Sequence, residues 1–483
     1  MPMSRRTVVG AGALAAVAAG ASAQPATAPA PPPAPTSPPE VTRILARYLV
    51  KARYDDLPSN VRKEGVRTLF NWVGCAVGGS RHEALDKAVA ALGPFSGKPE
   101  ANVLGRRERF DVVTTALLNG ISSHVFDYDD THLKTIIHPA GPVASAILAL
   151  AQRRTVSGTD FLNALVLGVE AECRIGNAVY PSHYDMGWHI TGSTGMFGAA
   201  AACGKLLGLT EQQMVWALGI AASQPVGLKI QFGSMTKSFH PGRAAQNGMT
   251  AALLAAQGYD SAEGALEGKD GWGQALATRR DWAEVTEGLG TRYEAALNTY
   301  KPFACGIVTH PGIDAAIQLR NDRHVAPDQL EALELHANPL VLSLTGKADP
   351  QSGLEGKFSI YHCIAVGLLF GAAGEKQFSD AAVRDPAVVA LRKRVTVRTD
   401  PGVKTQQSTL TARLKNGQTV SVHVENSVGS LERPMTDAQL DAKFADLADG
   451  VIAKGRARRL MDLCRGVERL ADVGAIARAG AAA

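Results

Sequence analysis

Apolar residues recur at helical spacing over most of the chain. Ile44, Leu45, Tyr48 and Leu49 share one face of a helix, and the same period of 3.6 residues returns repeatedly further on. The later segments with this period are 66–73, 143–150, 161–169, 214–220 and 249–256. Gly and Pro residues separate these helical segments, and few residues between them alternate as in a strand. Residues 41–298 are therefore predicted to form a large all-helical domain.

The pattern changes after Lys301. Alternating polar and apolar positions predict strands at 333–336, 395–399, 407–414 and 419–424. Asn416-Gly417 between the last two strands is typical of a hairpin turn. With helices expected at 311–321 and 358–370, residues 299–430 are predicted to form a smaller α+β lid domain.

The chain turns helical again over residues 437–478. This segment either extends the second domain or returns to the first. We expect residues 431–483 to return, which makes the fold mainly α, with a helical domain built from both ends of the chain and the lid inserted between them.

The N-terminus has the pattern of an export signal. Arg5 and Arg6 precede a weakly hydrophobic run of Ala, Gly and Val, and Ala21-Ser22-Ala23 is a small-residue cleavage site. Paired arginines favour twin-arginine export of residues 1–23, with cleavage near Ala23 and a periplasmic or secreted product. An uncleaved tail or an N-terminal anchor is the alternative. Residues 24–40 form a Pro-rich linker, and no later stretch has the continuous apolarity of a membrane span.

The composition argues against some classes of binding partner. The chain has 483 residues, of which 46% are hydrophobic, and a formal net charge of +5. That charge is too small and scattered to predict nucleic-acid or membrane-surface binding. None of the 6 cysteines forms a Cys-x-x-Cys pair, so neither a zinc motif nor an iron–sulfur cluster is indicated, and buried thiols are expected.

Titratable residues cluster between Asp127 and His138. Asp127, Asp129, Asp130 and two histidines fall within twelve residues, and a carboxylate beside an imidazole suits proton transfer. On a helical turn Asp127 and Thr131 would share a face, with Asp129 pointing elsewhere. The alternatives are a hydrated loop that caps a helix, and a metal site. The spacing matches no calcium loop or zinc motif.

Basic residues occur in segments that suit an anionic ligand. Lys237 and His240 are expected just before a helix, with Pro241 near its first turn, and Lys301 lies at the predicted domain boundary. His189 stands in a Gly-bearing loop before a helix of small residues. Solvated lysines and a structural histidine are the alternatives. Together the segments predict an anion pocket with acid–base groups, without a metal or an organic cofactor.

These motifs, in this order, resemble the MmgE/PrpD family, which includes 2-methylcitrate dehydratase, cis-aconitate decarboxylase and iminodisuccinate epimerase. The resemblance covers about residues 41–451. It is carried by the motifs Asp-Tyr-Asp-Asp-Thr-His, His-Pro-Ala-Gly-Pro, the segment 189–208, Ser-Met-Thr-Lys-Ser-Phe-His-Pro-Gly-Arg-Ala-Ala, Lys-Pro-Phe-Ala-Cys and Gly-Lys-Phe-Ser-Ile.

The resemblance implies a homodimeric, cofactor-independent enzyme whose site lies between a helical domain and a lid. The residues that it implies as catalytic are Asp127, Thr131, His138, His189, Lys237 and Lys301. We add His240, Arg243 and His310 from the same motifs as substrate-binding candidates. Two departures occur: the spacing from Thr131 to His138 is one residue longer than in the decarboxylases, and Cys305-Gly306 stands where they have an active-site histidine.

The function expected from the resemblance is a lyase of the dehydratase type. It would abstract a proton next to a carboxylate of a di- or tricarboxylate, such as a 2-methylcitrate-like or citrate-like acid. An epimerase or a decarboxylase of the same family is the alternative reaction. From other classes, a non-catalytic periplasmic carboxylate-binding protein and a metal-dependent hydrolase stay open.

Overall fold

Helices account for most of the structure, as the apolar pattern predicts. The computed structural model describes residues 40–482, so the predicted signal, residues 1–23, and the predicted linker up to residue 39 lie outside the described residues. The α-helices are α1 (Val41–Lys51), α2 (Ser59–Gly79), α3 (Glu83–Leu92), α4 (Val112–His124), α5 (Ala140–Leu150), α6 (Gly158–Val179), α7 (Ser182–Asp185), α8 (Ile190–Leu207), α9 (Glu211–Ala222), α10 (Thr236–Ala256), α11 (Trp272–Leu276), α12 (Ala283–Thr286), α13 (His310–Asn321), α14 (Leu340–Thr345), α15 (Gly353–Gly356), α16 (Ile360–Phe370), α17 (Asp380–Arg384), α18 (Pro386–Arg392), α19 (Asp437–Ala448), α20 (Lys454–Arg465) and α21 (Gly474–Gly480). The mainly-α prediction is confirmed. Within residues 40–482, no helix has the length and apolarity needed to cross a membrane.

Strands form three small sheets in the described part of the chain. The strands are β1 (Ala101–Asn102), β2 (Arg109–Phe110), β3 (Asp130–His132), β4 (Asn298–Tyr300), β5 (Leu330–Ala337), β6 (Val395–Thr399), β7 (Ser408–Leu414) and β8 (Thr419–Val424). The first four pair as β1–β2 and β3–β4, and the others form a sheet in the order β6-β5-β7-β8. The predicted hairpin is confirmed, because β7 and β8 pair antiparallel and Gly417 adopts a φ of 84° in the turn.

Small residues let the central helices approach closely. A Cβ on Gly120 of α4 would lie only 2.4 Å from the Cα of Gly242 in α10. This contact holds the end of α4, which carries His124, beside the start of α10, which carries Lys237. The abundance of Ala and Gly thus has a consequence for the site, since bulkier residues would separate the two helices.

The C-terminal helices lie against the N-terminal half of the chain. Phe444 of α19 packs on Gly74 of α2, and its ring centroid is 4.9 Å from that of Phe70. One apolar cluster contains residues of segments 57–300 and 435–477, while a second is built mainly from residues 303–424. Residues 40–482 belong to one compact unit, and the division into a helical domain and a lid stays a prediction.

Three local expectations are wrong. Asp127 and Thr131 do not share a helical turn, because α4 ends at His124, Asp127 takes a left-handed φ of 50° and Thr131 lies in β3. Aspartate is one of the few residue types that tolerate this backbone region. Helix α8 already begins at Ile190, which shortens the predicted loop. Helix α10 begins before Lys237, so this lysine lies in its first turn and His240, also predicted to precede the helix, lies within it together with Pro241.

Candidate active site

The pairing of β3 with β4 brings distant parts of the chain together. In the antiparallel register Asp130 lies opposite Tyr300, so the residues just outside the two strands, Asp127 and Lys301, meet at one edge. The starts of α5, α8 and α10 approach the same place and carry the predicted histidines and Lys237. The site is thus assembled from four separate segments of sequence.

Asp127 is held between two lysines. Lys237 Nζ donates to its Oδ1 at 2.8 Å and Lys301 Nζ donates to the same atom at 2.9 Å, and all three side chains are buried. Burial alone would raise the pKa of Asp127, but the two ammonium groups outweigh it and hold the pKa well below its ordinary value. Asp127 is therefore ionised at neutral pH, and its Oδ2 has no protein hydrogen-bond partner in the described structure.

His138 is positioned by the loop before α5. Its Nδ1 lies 2.8 Å from the backbone oxygen of Asp130 and 3.2 Å from Thr131 Oγ1, and its backbone N–H donates to Thr191 Oγ1. A carbonyl can only accept, so the proton belongs on Nδ1 and Nε2 carries the lone pair. This Nε2 lies 3.9 Å from Asp127 Oδ1.

The charge state of His138 suits a base. Burial, followed by the positive charge of Lys301, holds the pKa of His138 well below that of an ordinary histidine. The imidazole is therefore neutral at neutral pH. A neutral ring with its lone pair on Nε2 can accept a proton.

Two members of the buried network are absent from the sequence-based site. His124 Nε2 accepts from Lys237 Nζ at 2.7 Å, and His124 Nδ1 donates to Asp129 Oδ2 at 2.7 Å. Asp129 was expected to point elsewhere, but it lies fully buried beside the site. In the sequence His124 looks like the last residue of an apolar helix. Its position three residues before Asp127 is the one feature that could predict a place in the site.

Asp130 supports the scaffold of the site. Its Oδ2 accepts from the backbone N–H of Ala140, at the start of α5, and from the side chain of Asn298 in β4. It therefore ties the segment of His138 to the strand that precedes Lys301. Burial, together with the charge of Asp129, raises the pKa of Asp130 to about 7.

A second pair of imidazoles lies on the other side of the site. His189 Nδ1 and His240 Nδ1 are 2.9 Å apart, so one of the two donates to the other. Burial, then the charge of Lys237, lowers the pKa of both histidines, that of His240 to about 3. His240 thereby fixes the ring of His189, which packs edge-on against Phe232.

Five of the six predicted catalytic residues surround one cavity. The space between its walls is about 340 Å³ when open solvent is included, and about 30 Å³ of it can be reached by the centre of a water molecule. The lining residues are Asp127, Ile136, His138, Tyr184, His189, Phe232, Lys237, Lys301, Gly306, Ile307, Val308, Leu344, Thr345 and Phe358. We call Asp127, His138, His189, Lys237 and Lys301 the charged wall, and Ile307, Val308, Leu344 and Phe358 the apolar wall.

The other predicted catalytic and substrate-binding residues do not line the cavity. Thr131 contacts His138 from behind and His240 contacts His189, so both act on the cavity through a neighbour. Arg243 is exposed and donates to Gln246. His310 is buried against Phe303. Neither Arg243 nor His310 lines the cavity, so the geometry gives neither a direct contact with its contents.

The imidazoles are close enough to one another to hold a metal ion. One ligand atom from each of His124, His138 and His189 lies within 4.8 Å of the others. However, His124 Nε2 already accepts from the ammonium group of Lys237, which also contacts Asp127. A metal cation would have to displace this charge, so the donor set fits an ammonium-centred network better than a metal.

Two models of known protein families match this chain. The MmgE/PrpD N-terminal domain matches residues 43–285, and the MmgE/PrpD C-terminal domain matches residues 303–468. The chain belongs to the MmgE/PrpD family. The resemblance inferred from the six sequence motifs is confirmed.

Relatives of this MmgE/PrpD protein are similar over nearly their whole length. A cis-aconitate decarboxylase of Aspergillus terreus is 29% identical over 467 residues, which cover 90% of this chain and 94% of that protein. The cis-aconitate decarboxylase of Mus musculus is 25% identical, covering 91% of this chain and 93% of its own. That of Homo sapiens is also 25% identical, covering 89% and 92%.

Proposed function

We propose that this MmgE/PrpD protein is a cofactor-independent lyase that acts on a di- or tricarboxylic acid by removing a proton next to a carboxylate. The observation that carries the proposal is the charged wall. It places two ammonium groups and a neutral imidazole around one buried cavity, and acid–base catalysis next to a carboxylate needs both kinds of group.

The lysines supply the electrostatic part of the reaction. A substrate carboxylate bound by Lys237 and Lys301 gains negative charge when the adjacent C–H bond breaks and an enediolate forms. Two ammonium groups that are already in place stabilise this charge without reorganisation, in a site largely shielded from water. Asp127 Oδ1 accepts a hydrogen bond from each lysine and so fixes both ammonium groups in position.

His138 is the proposed base. Its Nε2 takes the proton from carbon, while Nδ1 keeps its own proton, donates it to the Asp130 carbonyl oxygen and so holds the ring in place. In a dehydration, the electron pair left by the proton forms the new double bond and expels the β-hydroxyl, which leaves as water after taking up the proton that His138 removed, while the neutral His189 is placed to hydrogen-bond this hydroxyl. Asp127 Oδ2 is available to accept a hydrogen bond from a substrate hydroxyl.

Decarboxylation is the second candidate, and the named relatives favour it. In that reaction the C–C bond to a carboxylate breaks, carbon dioxide leaves, and a protonated group returns a proton to the carbon. The position where decarboxylases have a histidine carries Cys305-Gly306 here. In the described structure Gly306 lines the cavity and offers no side chain for proton transfer. We therefore place dehydration first, with epimerisation as a further variant of the same proton abstraction.

Proton NMR in deuterated water tests the proposal. The purified protein is incubated with a panel of di- and tricarboxylic acids. We expect deuterium to enter one acid next to a carboxylate, with a new alkene for dehydration, or to appear in a product with one carboxylate fewer, at the carbon that lost carbon dioxide, for decarboxylation. Binding of an acid without exchange or product would contradict the proposal and favour a binding protein.

We also propose the arrangement that the sequence suggests around this site. Residues 299–430 form a lid over a helical domain, and two copies of the chain form a homodimer. The protein is exported and cleaved near Ala23. Light scattering would measure the oligomeric state. N-terminal sequencing of protein recovered from the periplasm or the medium would reveal the cleavage site. An intact N-terminus there would contradict cleavage near Ala23, and absence of the protein from both places would contradict export.

A further inference from the structure

We infer that Lys443 of α19 is a positioning residue, which sets Lys301 against Asp127 through the backbone of the two segments that carry them. None of the six sequence motifs contains this lysine, which lies 142 residues after Lys301. The inference rests on the proposed function in one respect, because it takes Lys301 and Asp127 as groups on which the reaction depends. It adds the C-terminal helices to the parts of the chain that build the site.

The Lys443 ammonium group uses all its donors inside the protein. Its Nζ donates to the backbone oxygen of Tyr128 at 2.5 Å, to that of Lys301 at 2.9 Å and to Asn71 Oδ1 at 2.8 Å. A lysine ammonium group has three N–H donors, so this one is fully satisfied. Tyr128 directly follows Asp127 in the chain. The two backbone oxygens therefore belong to the segments that carry the Asp127–Lys301 ion pair.

The same two segments are also bound directly to each other. Lys301 Nζ donates to the backbone oxygen of Asp127 at 3.0 Å, and the Tyr128 hydroxyl donates to the backbone oxygen of Pro302 at 3.0 Å. The Lys443 ammonium lies 3.9 Å from the centre of the Tyr128 ring, which adds a cation–π contact. Lys443 thus bridges two segments that already meet, and it does so from a third element of the fold.

A buried charge is a costly way to anchor a helix. Lys443 is buried, and burial lowers its pKa to about 8, so the ammonium form with three donors predominates at neutral pH. Apolar contacts already hold α19 on α2. A Cβ on Gly78 would lie 3.0 Å from Leu447 Cβ, and Phe444 packs on Gly74. The hydrogen bonds of Lys443 therefore serve the arrangement of the site more than the attachment of the helix.

The place of the Lys301 ammonium matters more to the transition state than to binding. A bound carboxylate tolerates a small shift of one donor, whereas the enediolate is stabilised by charge that is fixed where its own charge develops. A misplacement of about 1 Å can lower a rate by about 10²-fold. Lys237 stays on its own helix and continues to bind the acid. Loss of Lys443 should therefore lower kcat and leave KM nearly unchanged.

Steady-state kinetics at pH 7 test this expectation, with 2-methylcitrate, citrate and cis-aconitate as substrates. Lys443→Met keeps most of the aliphatic stem and removes the three donors. We expect kcat to fall by about 10- to 100-fold and KM to change by less than threefold. Arg465→Met is the matched control, because Arg465 holds the same helix through Asp437 and Asp441. It should leave kcat within twofold of the wild-type value.

A second background separates positioning from folding. In Lys301→Met the ammonium group that Lys443 positions is gone, so adding Lys443→Met should lower kcat by less than a further threefold. Lys443→Arg keeps the buried charge on a longer, planar donor group, so it should fold even where Lys443→Met does not. We expect it to lower kcat by about three- to tenfold, and this loss should also disappear beside Lys301→Met.

Chemical labelling reports on Lys301 without any substrate. Reductive methylation with formaldehyde, followed by peptide mass spectrometry, measures how fast its amine reacts. We expect this rate to rise by at least about threefold in Lys443→Met, because a loosened ion pair with Asp127 leaves the amine deprotonated more often. Arg465→Met should label Lys301 at the wild-type rate.

The outcomes distinguish this inference from the proposed function, with Lys443→Arg in place of Lys443→Met where the latter does not fold. Unchanged labelling of Lys301 would overturn the inference. A kcat within twofold of that of Arg465→Met, or an equal loss of kcat with and without Lys301, would overturn it as well. If the wild-type protein acts on none of the three acids while the labelling rises, the proposed function is contradicted and the positioning of Lys301 by Lys443 stands.

Discussion

The two walls of the cavity differ in chemistry and in origin. The charged wall comes from residues 127–301 and carries every ionised side chain that lines the cavity in the described structure. The apolar wall comes from residues 307–358, although Thr345 of that range lines the cavity too, and residues 127–301 also contribute Ile136, Tyr184 and Phe232 to the lining. Under the proposed function, proton transfer would depend on the first of these parts of the chain and apolar contact with the substrate on the second, so the two properties could be changed separately.

Loss of Asp127 should have the largest effect. Asp127→Ala leaves two ammonium groups buried without their shared partner, which costs about 3–5 kcal/mol of folding stability for a broken buried pair. We expect a clear fall in the urea midpoint and loss of activity. Asp449→Ala, at an exposed position, is the control. An unchanged midpoint for Asp127→Ala would show that the pairing is not a major part of the fold.

Removal of one lysine should reduce the rate without unfolding the protein. Lys237→Met takes away one group that stabilises the enediolate, and we expect kcat/KM to fall by about 10²–10³-fold for the acid identified by exchange. Lys415→Met in the exposed β7–β8 turn is the matched control. If both variants turn over the acid like the wild type, the charged wall does not carry the reaction.

The apolar wall should respond differently. Leu344→Ala removes contact area from the cavity but no group that takes part in proton transfer. KM should rise by about three- to tenfold while kcat changes by less than twofold, because the lost contact acts equally on ground and transition states. A fall in kcat as large as that of Lys237→Met would erase the distinction between the two walls.

The pH profile should be flat around neutrality. Burial and Lys301 lower the pKa of His138, and a base with a lowered pKa stays unprotonated as the pH falls. We expect kcat/KM to change by less than threefold between pH 8 and pH 6, because Asp130, whose pKa of about 7 falls in this range, does not line the cavity and takes part only in the scaffold bonds to Ala140 and Asn298. An ordinary histidine with a pKa near 6.5 would already lose activity in this range, so a tenfold drop per pH unit below 6.5 would contradict the assignment.

The sequence revealed the charged wall more readily than the apolar one. Asp127, His138, Lys237 and Lys301 stand out because charged residues in apolar surroundings need an explanation. The strands at 395–424 were also predictable, since their alternation is strong. The pairing of β3 with β4 was not, because each strand has only three residues and 165 residues separate them.

The apolar wall could not be read from the sequence. Ile307, Val308 and Leu344 have the composition of any packed core, and only three-dimensional structure distinguishes an aliphatic side chain that lines a cavity from one that fills a core. His124 was missed for a related reason, because it ends an apolar helix. Arg243 was chosen from its motif, but its place on α10 turns it towards solvent.

The most direct test of the account compares deuterium exchange by the wild-type protein and the His138→Gln variant, with binding of the same acid measured in parallel. Glutamine can keep a hydrogen bond to the Asp130 carbonyl but cannot accept the proton. We predict unchanged binding and an exchange rate about 10²–10⁴-fold lower, the usual contribution of a general base. Exchange at the wild-type rate in the variant would contradict the central claim that His138 removes the proton.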